Sequence, residues 1–180
     1  MGTLELSPAL SRRELLAPPV AAALAGWSRA AEVEVAPIDP DLADTAAFCA
    51  AYDIGLDVSA NCVIVAGRRG EVTRYAACMI LATTRADVNG LVRTRLDARK
   101  ASFAPMDDAV ALTGMEYGGI TPVGIPADWA LYIDSRIVAL PQVVIGAGIR
   151  GAKLVLQGAA LAELPGAEVI EGLARAVEQP

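Results

Sequence analysis

The sequence predicts a single α+β domain built on a mixed β-sheet, and three observations predict it. Its 180 residues suit one domain with a sizeable buried core. Helix-like and strand-like segments mix irregularly, with no repeating βα unit and no internal repeat. No linker or block of like charge divides the chain.

Along the chain, Pro18 to Trp27 reads as a helix with proline tolerated in its first turn. Glu32 to Val35 alternates like a strand before Pro37 ends it. Asp41 to Tyr52 is an alanine-rich helix, with Gly55 as its terminator. Cys62 to Ala66 reads as a buried strand, Gly67 to Gly70 as a turn and Val72 to Leu81 as the returning strand of a hairpin. Thr84 is placed to cap a helix from Arg85 to Leu96, with Asp87 in its first turn. Lys100 to Phe103 is a short strand, and Met106 to Thr113 a helix stopped by Gly114. Ala130 to Asp134, Gln142 to Ile145 and Lys153 to Leu156 read as strands. A helix from Ala159 to Leu164 and a strand from Ala167 to Ile170 follow.

Composition excludes several functions. The hydrophobic content is 54%, largely alanine and valine, so packing relies on small aliphatic side chains. The formal charge is −6 and only two lysines occur, Lys100 and Lys153. Such a chain does not wrap nucleic acid by bulk electrostatics, and any RNA contact must be local. With no histidine, Ser-His-Asp and Cys-His catalysis and histidine-based metal sites are excluded. Cys49, Cys62 and Cys78 are widely spaced and odd in number, which fits reduced thiols buried as small apolar residues. No stretch is apolar enough to span a bilayer, and the apolar run after Arg12 and Arg13 is short for a signal peptide. A cytoplasmic protein is the expectation.

The segment Gly114 to Gly124 packs four glycines and Pro122 into eleven residues. Glycine admits positive φ and close approach, so such a loop offers main-chain groups at fixed positions; a long turn is the alternative reading. Gly146 to Gly151 matches the dinucleotide pattern G-x-G-x-x-G, but the strand-like Ala152 to Leu156 follows where a helix is needed. A glycine-rich hairpin turn is the better reading, with Arg150 at its tip available to a phosphate. Asp134 ends an apolar strand, as a turn cap or a site residue. Asp107 and Asp108 suit a helix start, Arg68 and Arg69 a solvated hairpin tip, and Glu116 lies inside the glycine loop.

Taken together, Val63 to Val65, Arg99 to Ala104, Thr113-Gly114 with Gly118 to Gly124, Ile133-Asp134 and Gly146 to Gly151 stand in an order that resembles the YbaK family. This family includes free-standing relatives of the editing domain inserted in bacterial prolyl-tRNA synthetases. The resemblance covers about Asp44 to Leu173. It implies an editing domain over residues 41–175, with residues 1–40 packed on it as a helix and lead-in strand. It also implies a strongly curved, barrel-like mixed sheet flanked by helices. The implied substrate is an aminoacyl-tRNA carrying the wrong amino acid, hydrolysed at the ester to the terminal adenosine, with no cofactor and no metal.

Under that resemblance Gly118, Gly119, Ile120, Thr121 and Pro122 frame the ester and Asp134 organises the pocket. Asn61, Lys100, Gly148 and Arg150 are the candidates for substrate binding. An activated ester needs no histidine, since a positioned water and preorganised dipoles suffice. Members that deacylate tRNA carry a lysine just ahead of the strand that begins here at Cys62. This chain has Asn61 there, or Ala60 with a one-residue shift. Loss of that cation weakens binding, with Lys100 and Arg150 as candidate replacements. A free-standing deacylase acting in trans is therefore expected, and replacing Gly119 with valine is expected to abolish turnover without unfolding. The alternatives are a non-catalytic module holding an aminoacyl-adenosine-like ligand, and a dinucleotide oxidoreductase using Gly146 to Gly151.

Overall fold

A five-stranded and a four-stranded sheet pack across a shared apolar core in the computed structural model, which describes residues 1–177. In chain order the strands are β1 (Ser7–Pro8), β2 (Glu34–Pro37), β3 (Ala60–Arg69), β4 (Val72–Leu81), β5 (Thr84–Ala86) and β6 (Lys100–Phe103). They continue as β7 (Ala130–Asp134), β8 (Val143–Gly146), β9 (Ala152–Leu156), β10 (Ala167–Ile170) and β11 (Ala174–Ala176). The α-helices are α1 (Pro18–Ala25), α2 (Thr45–Tyr52), α3 (Arg93–Arg95), α4 (Met106–Thr113), α5 (Ser135–Val138) and α6 (Gly158–Leu161).

The larger sheet runs β10-β7-β4-β3-β6, with β7 parallel to both its neighbours and the β3–β4 hairpin antiparallel. The smaller sheet is antiparallel, in the order β1-β2-β9-β8. A ribbon of β5 and β11 stands apart. The barrel implied by the resemblance is not formed. Closure needs a continuous ladder around the sheet, whereas the two sheets are joined at this edge by an isolated bridge between Ser59, just ahead of β3, and Val144 of β8.

Alternation along each strand explains the layers. Ile64, Ala77, Met79, Leu131 and Ile133 of the larger sheet enter the shared core with Val143, Ile145, Leu154 and Leu156 of the smaller one. Their neighbours Val65, Cys78, Ile80 and Tyr132 face a second cluster with Val92, Leu96 and Leu173. The outer face of the smaller sheet, with Val144 and Val155, is covered by Phe48 and Cys49 of α2. Both sheets are thus buried on two sides.

The expected helix from Arg85 to Leu96 is not continuous. Residues Thr84–Ala86 pair with β11, and a π-helical turn, Val88–Val92, precedes the short α3. Asp87 is the cap, its carboxylate accepting from the N–H groups of Gly90 (3.2 Å) and Leu91 (3.2 Å). The Thr84 hydroxyl instead donates to Leu81 O at 2.8 Å. β-Pairing to a distant strand overrode a local helix signal.

Candidate active site

Beyond the Ser59–Val144 bridge, β3 and β8 have no further pairing with each other, and a cleft of about 300 Å³ opens between them. Residues 59–63 of one strand form one wall and residues 144–146 of the other form the opposite wall. The lead-in to α2 (Ala43, Asp44, Thr45) and the loop at Tyr117, Gly118 and Ile120 complete it, with Arg150 and Lys153. The size is at the lower end for a small-ligand site.

Two glycine segments hold the loop in place. The Gly148 N–H donates to Gly119 O (2.7 Å), and the Glu116 N–H donates to Gly148 O (2.8 Å). The Arg150 N–H donates to Glu116 Oε2 at 2.7 Å. Arg150 also donates through Nη1 to Tyr117 O (3.1 Å) and through Nη2 to Pro40 O (3.0 Å), bracing the loop against the chain leading to α2. A Cβ on Gly119 would lie 2.4 Å from Ile149 O, and one on Gly146 would lie 2.3 Å from Gly119 O. Glycine is required here by backbone-to-backbone contact. Among the described residues, nothing accepts from the N–H of Gly118 or of Ile120. Both residues line the cleft.

Asn61 sits in the opposite wall, its Oδ1 accepting from the Thr45 hydroxyl at 2.7 Å. Burial pushes the thiol of Cys62 beside it far above the ordinary cysteine value. Lys153 is 7% exposed, with Nζ 3.4 Å from Ala43 O and 5.0 Å from the centre of the Phe48 ring. Burial lowers its pKa, while Cys49 and Asp44 act in the opposite sense and Arg150 lowers it further.

The family model described as the aminoacyl-tRNA editing domain matches residues 39–164. This chain belongs to that family. The editing domain also resembles solved structures in fold. The hypothetical protein APE2540 superposes with a TM-score of 0.72 at 21% identity, covering 82% of this chain and 95% of that one. A protein proposed as a trans-editing enzyme for prolyl tRNA synthetase gives a TM-score of 0.72 at 20% identity, covering 86% and 94%. At these identities the likeness shows the fold. No curated protein matches the chain significantly.

The editing domain gathers Asn61, Gly118, Ile120 and Arg150 of the sequence-derived candidates around one cleft and leaves the others outside its lining. Thr121 and Pro122 are buried, and the Thr121 hydroxyl has no hydrogen-bond partner among the described residues. Gly148, at φ +84°, turns towards α1, where a Cβ would meet Ala17 Cβ at 2.4 Å. Asp134 is fully buried and bound to Arg136, away from the cleft. Lys100 is exposed on β6, in a different groove. A valine at Gly119 would bring its Cβ to 2.4 Å from Ile149 O, so it is expected to disturb the fold as well as turnover.

Gly146–Gly151 joins the antiparallel β8 and β9, so no helix follows it and the dinucleotide pattern is a hairpin turn. Lys153 was missed as a cleft residue. Its signal was a lysine between apolar neighbours in a chain with only one other lysine. Among the described residues, no helix is long and apolar enough to cross a membrane.

Proposed function

We propose that this protein is an aminoacyl-tRNA deacylase acting in trans, hydrolysing the ester of a mischarged tRNA in the cleft between β3 and β8. The observation that carries this reading is that Gly118 and Ile120, whose N–H groups are unpaired among the described residues, line one small cleft of an editing domain together with Asn61. Fixed main-chain dipoles of this kind stabilise the oxyanion that forms when water attacks an ester carbonyl. The ester is already activated, so orientation of that water and of the carbonyl is what the protein must supply. Asn61 supplies a neutral polar group to the ester or ribose. Tyr117, 59% exposed at the rim, offers a ring against which a terminal base can stack. Purified protein is expected to deacylate at least one of a panel of mischarged tRNAs and to spare the correctly charged ones. Absence of hydrolysis across the whole panel would overturn the reading.

The RNA strand would continue along β3 into a basic groove. Arg68, Arg93, Arg99 and Lys100 line it, and none of them is ion-paired among the described residues. Seven strand steps separate Asn61 from Arg68, roughly 23 Å at strand rise. A local cationic groove would let a chain of net charge −6 hold a polyanion. Replacing Arg99 and Lys100 together with glutamate is expected to raise KM for aminoacyl-tRNA about tenfold or more at low salt. The gap should narrow as salt screens it, while kcat is kept. An unchanged KM with an unchanged salt slope would remove the groove from the RNA path.

A further inference from the structure

We propose that Lys153 forms an oxyanion-binding subsite in the cleft, supplying from β9 a cation that β3 lacks at Asn61. The proposal rests on the deacylase reading for the identity of the ligand, though not for the existence of the subsite.

A buried ammonium carries three donors and a charge, and both require partners. Lys153 has one long contact, to Ala43 O at 3.4 Å, and the face of the Phe48 ring. No carboxylate lies within ion-pair distance among the described residues. The charged and titratable groups facing it are Asp44 at the N-cap of α2, Cys49 within α2 and Arg150 from the β8–β9 turn. A lysine held this way, in a cavity wall and unneutralised, is completed by an anionic oxygen entering from the cavity. Arg150 cannot substitute fully, because two of its guanidinium nitrogens are already committed to Tyr117 O and Pro40 O.

An aminoacyl-adenosine end offers that oxygen from two sources: the phosphate on the terminal nucleoside, or a carboxylate on the amino-acid side chain. The probes separate them. Adenosine 5′-monophosphate is compared with adenosine, and amide-linked 3′-aspartylamino-adenosine with its 3′-alanylamino counterpart, by calorimetry. Wild-type protein is expected to prefer one anionic probe over its neutral partner by about tenfold or more, the scale of one charge-assisted hydrogen bond. Lys153→Met should abolish that preference and leave the neutral probe's affinity unchanged. Adding Asn61→Lys to the Lys153→Met variant should restore it from the opposite wall, which no packing role for Lys153 would produce.

Lys153→Met should also fold. The lysine's proton is held less tightly in the folded chain, so its burial cost is present below its lowered pKa and fades as pH rises towards the unfolded lysine range. Methionine removes that cost, and the variant should be at least as stable as wild type at neutral pH. Equal binding of charged and neutral probes by wild type would overturn the subsite, as would failure of every probe to bind, or an anion preference that survives in Lys153→Met. Because these readouts need no turnover, the subsite can stand where deacylation fails and can fall where deacylation succeeds.

Discussion

Alanine at Gly119 is expected to cost about 3 kcal/mol of stability, and deacylation with it. The added Cβ would lie 2.4 Å from Ile149 O and 2.8 Å from Ile149 N. Backbone cannot rotate away as a side chain can, so the loop and the β8–β9 turn must separate. Separation breaks the Gly148 N–H to Gly119 O hydrogen bond and moves the N–H donors of Gly118 and Ile120. For a chain of this size the melting temperature should fall by about 10 °C. Gly166→Ala is the control: its φ is +75° with nothing within 4 Å, so it reports the left-handed strain alone, about 1–2 kcal/mol. Thermal and urea unfolding of the two variants checks this. Wild-type stability in Gly119→Ala would mean that the two glycine segments are not in contact.

The second large effect is expected at Asp134. Asp134→Ala should lower stability by about 3 kcal/mol and leave kcat of the folded protein unchanged. The carboxylate is wholly buried, and it accepts from the Arg136 N–H at 3.0 Å, from Nε at 2.9 Å and from Nη2 at 2.6 Å. It therefore caps α5 and fixes a guanidinium whose Nη2 also donates to Ala174 O at 2.7 Å, tying the end of β7 to β11. The alanine variant loses the cap and leaves Arg136 without its counter-charge. Asn at the same position keeps the cap and loses the charge, so its loss should be smaller. Stability measured by urea unfolding and single-turnover deacylation together decide the matter. A drop in the chemical step with stability intact would return Asp134 to the catalytic machinery.

Legibility differed sharply between these residues and the elements that carry them. The hairpin of β3 and β4 was readable because apolar runs flank residues 67–70, although β3 continues through Arg69 and the turn is made at Gly70, at φ +62°. α4 was readable because Gly114 ends it in the left-handed conformation, at φ +65°. The helix over residues 85–96 was misread because its caps and composition are local, while the pairing of β5 with β11 joins segments almost ninety residues apart. Asp134 was legible as a carboxylate at a strand end, with a turn cap among its readings. The structure adds that Arg136 occupies it from two residues on.

The sequence by itself determined the strands of the two larger sheets other than β1, the helices α1, α2, α4 and α6, the exclusion of histidine chemistry and the two glycine-rich segments. Those follow from backbone preference and composition, which short windows of the chain contain. Only the tertiary structure decided where the sheets part, and so which wall each candidate occupies. Lys153 shows why. On β9 it shares a face with Val155, opposite Ala152, Leu154 and Leu156. Helix α2 covers the Lys153 face, and the carbonyl that meets the lysine, Ala43 O, comes from 110 residues earlier in the chain. Periodicity separates the two faces of a strand, but only what packs over each face decides which of them is dry.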